Sequence, residues 1–237
     1  GIMRQALVQA LHHTSHRSAF QKRLIQQPLM QNVLADMAVE VEAALALGLR
    51  VAQAMDRMDD PAEAALARIG TAVAKYWNTK RCPSLVVEAL ECHGGPGYVE
   101  ESIMPRLYRE APLNSIWEGS GNVMGLDVLR AMGREAEAIP AVMAELEKAR
   151  GNHPNLDRAI DDLRDELADP EGLEARMRMV TEMMALTLQA ALLTRHGDSP
   201  VADAFCASRL APRYRGAFGT LPKGLDLDAI ISRALPG

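Results

Sequence analysis

The sequence predicts an all-α protein, and three observations carry that reading. Aromatic residues are only 4% of the chain while it holds 13 methionines, and Ala, Leu, Glu and Arg, whose side chains lose little rotamer freedom on a helix, dominate the rest. Apolar residues recur at intervals of three and four over most of the length, which is the helical period. Proline and glycine fall between these periodic runs, where helices start and stop.

The first run begins at once, without an initiating Met, so the chain reads as cut just before a helix carrying Met3, Leu7, Ala10, Leu11 and Thr14. Arg17 and Phe20, three apart, are expected on one helix face, the Arg stem lying over a packed Phe. Pro28 suits the first turn of a second helix, whose apolar positions Leu34, Met37, Val41, Leu45, Gly48 and Ala52 carry it to about Met58. Asp60 caps a third with Pro61 at its first position, and Pro83 begins a fourth that Gly94 stops after His93. Four long helices imply a bundle.

The segment after Gly97 is too interrupted by proline for a long helix and reads as a crossing loop with one short helical piece at Pro105–Arg109. Asn122 to about Met132 is a fifth helix, ended by Gly133. Further helices follow at about 135–150, 155–169, 171–195 and 199–210, with Met177, Val180 and Met184 filling core. The Pro- and Gly-rich tail RLAPRYRGAFGTLPKG reads as solvated surface or an oligomer arm. The organisation expected is one bundle over 1–133 and an additional helical region over 134–237.

Charge and cysteines narrow the function. The net charge is -5, with 13 basic and 14 acidic residues in 1–133 and 13 against 17 in 134–237, so the electrostatic footprint of a nucleic-acid binder is absent. No apolar run is long enough to span a bilayer and no signal-like segment opens the chain, so a cytoplasmic protein is expected. Cys82, Cys92 and Cys206 form no CxxC pair and read as buried apolar residues. His12 and His16 share a helix face, yet no further ligand stands near them, so no metal is expected.

The chemistry concentrates between Glu88 and Arg130, where HGGPGY (His93–Tyr98), PRLYRE (Pro105–Glu110) and NSIWEGSGN (Asn114–Asn122) follow one another. Glu118 stands there between an aromatic and a glycine. A carboxylate in such a turn can be a general base, or it can cap the helix that follows.

The ordered triple GGPGY, PRLYRE and WEGS resembles the signature of the acyl-CoA dehydrogenase flavoproteins in their C-terminal helical domain, and within them the AidB-like group, which carries an extra C-terminal helical region. The family's R-x-x-F and Q-x-x-[LM]-A-D-M segments are matched by Arg17–Phe20 and Gln31–Met37. The resemblance implies FAD as cofactor, an acyl-CoA thioester as substrate and a homo-oligomer, dimer or tetramer, with shared sites. It implies that Arg17 and Phe20 contact the pyrophosphate and flavin side of an FAD held by the neighbouring subunit, that Gln31 is also cofactor-binding, that Glu91, Gly94 and Gly95 line the adenosine side, and that Ser120 and Asn122 hydrogen-bond FAD. It makes Glu118 the base that removes the α-proton, with Gly119 leaving room for the thioester. Pro28 and Glu91 stand where many members carry Gln, and Gln21 where a Gly usually follows the Phe.

Two functions from different classes follow. The first is α,β-dehydrogenation of an acyl-CoA, of which this chain supplies the C-terminal part and which the chain alone is expected not to perform. The second is an AidB-like DNA-associated protective flavoprotein using Arg209, Arg213, Arg215 and Lys223 against phosphates, with weak DNA binding at most.

Overall fold

Helix α3 (Pro61–His93) is the hub on which the other elements are laid. Asp60 caps it by accepting from the Ala62 amide at 2.9 Å, and Gly94, at φ 63, ends it. The structure, a computed structural model, describes residues 1–211 and 216–235. Around α3 lie α1 (Ile2–His16), α2 (Pro28–Met55) and the short α4 (Gly95–Tyr98) and α5 (Met104–Glu110). They are followed by α6 (Gly121–Arg134), α7 (Ala138–Glu147), α8 (Pro154–Ala168), α9 (Leu173–His196), α10 (Ser199–Ser208) and α11 (Leu227–Ala234). Helices α1, α2, α6, α7 and α9 all touch α3, so the later helices complete the same core. Met177, Val180 and Met184 are buried in it, as are all three cysteines.

Three expectations need correction. Pro83 does not start a fourth helix, because α3 runs through it. An interior proline costs about 3 kcal/mol, but Cys82, Leu85, Val86 and Ala89 around it are buried, and burial of such side chains is worth roughly 1.5–3 kcal/mol each for the larger ones.

Arg17 and Phe20 share no helix face either. Helix α1 stops at His16, Arg17 turns extended, and Ser18–Ala19 (β1) pairs antiparallel with Lys22–Arg23 (β2). The two residues joining them, Phe20 (φ 52) and Gln21 (φ 66), are left-handed, as a tight two-residue hairpin turn requires. Neither is Gly, so the turn stores strain of roughly 1–2 kcal/mol per residue and leaves Phe20 91% exposed.

Among the described residues the tail 209–224 is anchored rather than free: Arg209 and Leu221 are buried while Ala217, Thr220, Pro222, Lys223 and Gly224 are exposed, and α11 beyond it lies on α2. Asp36 accepts from the amides of Gly219 (2.9 Å) and Thr220, while Asn32 exchanges two hydrogen bonds with the backbone of Leu221. Arg209 enters the core and pairs with Asp36 and Glu40. The local basic character of this segment in the sequence is therefore partly spent inside the fold.

A second network joins four helices. Glu145 of α7 is buried and accepts from Arg50 of α2 (3.0 Å), Arg195 of α9 (2.9 Å) and Lys148, and Arg50 also pairs with Glu63 of α3. Burial alone pushes the Glu145 carboxyl up, but hydrogen bonds from Arg50 and Lys148 outweigh it and hold it down to about 2, below the ordinary 4.5. A depressed carboxylate stabilises the fold above its unfolded value and loses that contribution as the pH falls toward its folded value. Urea titrations should therefore show a loss of about 2–3 kcal/mol between roughly pH 4.5 and 2. Glu145→Gln should remove most of that slope, and an unchanged slope would show that this group does not carry it.

Candidate functional site

Glu118 sits at the apex of a turn that α3 holds from below. Its own backbone is left-handed at φ 53, and Gly119 follows at φ 113. A Cβ at Gly119 would be strained by that backbone and would also stand 2.4 Å from Met124 Cε, the movable end of a side chain in the first turn of α6.

The Lys75 ammonium donates to the carbonyls on both sides of Glu118, to Trp117 O at 3.0 Å and, closer still, to Gly119 O. The Glu118 carboxylate is exposed and so is Trp117. Helix α6 starts from Ser120 with no side-chain cap. Glu118 is therefore not serving as a helix cap, and its oxygens face outward.

Asn122 lies in the first turn of α6, where Arg178 of α9 reaches it: Nη1 donates to Asn122 Oδ1 at 3.2 Å and Nε to the Tyr76 hydroxyl at 3.3 Å. A cleft of about 250 Å³ opens there between α6 and α9, lined by Asn122, Leu126, Glu174, Met177 and Arg178. Sequence reasoning missed Lys75 and Arg178, and no spacing signal marks either one, because each lies in an ordinary helical run far from the turn it touches.

The remaining expected residues gather at the other end of α3. The His13 and His93 rings stack 4.7 Å apart, which puts the ends of α1 and α3 side by side and with them Arg17, Phe20, Glu91, Gly94 and Gly95. Burial lowers His13, and the nearby His93 and Arg17 lower it further. A Cβ on Gly95 would meet nothing within 4 Å. Gln31 is engaged with Asp228 of α11, its amide donating at 3.0 Å. Between the two ends the chain returns along α3 through α5, where Arg109 of PRLYRE makes a bidentate pair with Glu100.

The expected residues therefore form two groups. Lys75 and His93 stand roughly 27 Å apart along α3 at about 1.5 Å per residue, so the Glu118 turn and the Arg17 end cannot close on one reacting atom within a single chain. Arg17 and Phe20 are exposed, and the hairpin strain that holds Phe20 outward has no return inside this chain. An uncovered guanidinium fork beside an uncovered ring and a glycine turn suits a phosphate-bearing aromatic cofactor. No three His, Cys, Asp or Glu side chains converge as a metal site among the described residues, and the His12 and His16 rings stack on each other at 4.5 Å. No described helix is long and apolar enough to cross a membrane.

The family described as acyl-CoA dehydrogenase, C-terminal domain, matches residues 1–133. AidB of Escherichia coli (strain K12) is 42% identical over 212 residues, which cover 90% of this chain and 39% of AidB. Acyl-CoA dehydrogenase family member 11 of Caenorhabditis elegans is 27% identical over 81% of this chain and 31% of its own length. The solved structure of Caenorhabditis elegans ACDH-11 in complex with C11-CoA superposes with a TM-score of 0.82 at 25% identity, covering 92% of this chain and 42% of that one. The chain thus spans about two fifths or less of the length of these relatives, and the similarity to AidB extends beyond residue 133.

Proposed function

The chain belongs to the acyl-CoA dehydrogenase family, and from that premise we propose that it is the C-terminal helical part of an FAD-dependent enzyme that dehydrogenates an acyl-CoA thioester between its α and β carbons. The observation that carries the reading is the Glu118 turn, a carboxylate presented outward on a left-handed backbone whose two neighbouring carbonyls are fixed by Lys75. An exposed carboxylate placed this way can meet a ligand beyond the turn.

In the reaction, Glu118 takes the α-proton, which the thioester carbonyl acidifies, and the electrons of that C–H bond become the new double bond. Bound FAD supplies the acceptor for the β-hydride. The two-ended layout suits a homo-oligomer in which one chain sets Glu118, with Ser120 and Asn122, against one cofactor, while Arg17, Phe20, Glu91, Gly94 and Gly95 serve the cofactor of a partner. Gln31 belongs to that second group, once released from Asp228. Gly119 keeps the backbone close to the thioester, and residues 134–237 form an AidB-like appended region. The ligand in the ACDH-11 structure supports acyl-CoA as substrate.

The DNA-associated alternative draws less support. Of the four cations it needs, Arg209 is buried against Asp36 and Glu40, Arg213 and Arg215 lie outside the described residues, and Lys223 remains exposed.

The test is anaerobic mixing of the natural full-length flavoprotein with saturated acyl-CoA thioesters of graded chain length. Bleaching of the oxidised flavin band with one equivalent of 2-enoyl-CoA is expected for at least one of them. A flavin that stays oxidised with the whole series would reject the reading.

A further inference from the structure

We propose that Lys75 is a positioning residue for Glu118, acting through the backbone on either side of it. The proposal rests on Glu118 being the base.

Both carbonyls that Lys75 binds belong to the residues immediately flanking Glu118. With φ of 53 at Glu118 and 113 at Gly119, successive peptide planes turn so that the carbonyls of 117 and 119 point toward the same place. Two converging carbonyl dipoles repel one another, and a left-handed backbone at a residue with a Cβ adds strain. A single ammonium at their focus offsets both penalties. The contact is partly shielded, since Lys75 is half-buried, and charge-assisted bonds are about twice as strong as neutral ones.

Helix α3 supplies the rest of the seat from the same face. At Gly121 a Cβ would stand 2.8 Å from Lys80 Cε and 3.4 Å from Tyr76 Cε2, so the start of α6 is pressed directly onto α3. Residues 117–121 thus rest on Lys75, Tyr76 and Lys80. Among the described residues it is Lys75 that bonds to the carbonyls flanking Glu118, which determine where its side chain leaves the backbone. Remove it and the turn is free to relax to negative φ. Displacing a reacting group by about 1 Å can cost as much as 10²-fold in rate.

Lys75→Met keeps the aliphatic stem and deletes the ammonium, while Lys75→Arg keeps a cation with several donors. In the full-length flavoprotein, Lys75→Met should lower the limiting rate of flavin reduction by at least about tenfold and leave the acyl-CoA concentration for half-maximal rate within about threefold, because orientation and not binding is lost. Lys75→Arg should recover most of the rate. In the 237-residue chain itself, with no flavin needed, amide hydrogen exchange across 117–121 should quicken in Lys75→Met while the interior of α3 stays protected. Unchanged exchange and an unchanged rate would overturn the proposal, as would equal losses in both variants accompanied by a lowered melting temperature. A Glu118→Gln protein that reduces its flavin normally would defeat the base assignment, whereas the exchange result would still decide whether Lys75 holds the turn.

Discussion

Replacing Glu118 with Gln in the full-length flavoprotein should lower the rate of flavin reduction by a good acyl-CoA by at least about 10²-fold, the low end of what a general base contributes. Gln keeps the size and hydrogen-bonding reach of Glu but cannot accept the α-proton. The structure sharpens the accompanying expectation for stability. Loss of a capping residue costs roughly 1 kcal/mol, but α6 begins at Ser120 and takes no side-chain cap, so the substitution should leave the melting temperature almost where it was. Stopped-flow reduction and a thermal melt on the same protein read both quantities. A normal reduction rate would reject the catalytic assignment.

The legible part of this chain was whatever local chemistry decides. Asp60 with Pro61 gives the start of α3, Gly94 its end, and the three- and four-residue apolar spacing gives the long helices on either side. The three motifs from Gly94 to Ser120 were equally legible, because their residues lie close in sequence. What escaped was decided by contacts between distant segments. Pro83 is a helix breaker by intrinsic preference, and only burial of its neighbours against other helices carries α3 through it. Phe20 and Gln21 carry no Gly or Asn to announce a left-handed turn, so the hairpin has no local signature. Lys75 reaches Gly119 across 44 positions, and Arg178 reaches Asn122 across 56. The expectation of shared sites already set Arg17 and Phe20 against a neighbouring subunit's cofactor, apart from Glu118; what no local signal gave was the long-range contacts, from Lys75 and Arg178, that hold the Glu118 turn and the start of α6.

Arg209 is where the same blindness has the largest consequence for stability. In sequence it belongs to a basic, loop-like tail, yet it is among the most deeply enclosed side chains of the molecule, bonded to Glu40 at 2.9 Å, to the Asp36 carbonyl at 3.2 Å and to the Asp36 carboxylate. Burial pushes Glu40 up, and Arg209, followed by Arg81, outweighs that and holds it below its ordinary value. Arg209→Met fills the space but strands charge. Glu40 keeps Arg81 at 3.1 Å, whereas among the described residues Asp36 keeps the amides of Gly219 and Thr220. Breaking a buried pair by removing one partner costs about 3–5 kcal/mol, and at roughly 2–4 °C per kcal/mol for a chain of this size the melting temperature should fall by about 10 °C. Arg209 is the largest influence that holds the Glu40 carboxyl down, so its loss raises that folded value, and the penalty is present at neutral pH and is relieved as acid protonates Glu40. The gap between wild type and Arg209→Met should therefore narrow on the acid side. Neutralising Asp36 as well, in Asp36→Asn/Arg209→Met, should recover part of the loss, since Glu40 still has Arg81 as its partner and the other stranded charge is gone. Urea melts of the three proteins at pH 7 and pH 4.5 measure all of this. A single substitution that costs less than about 1 kcal/mol at pH 7 would mean that Arg209 is not what locks the C-terminal segment onto α2.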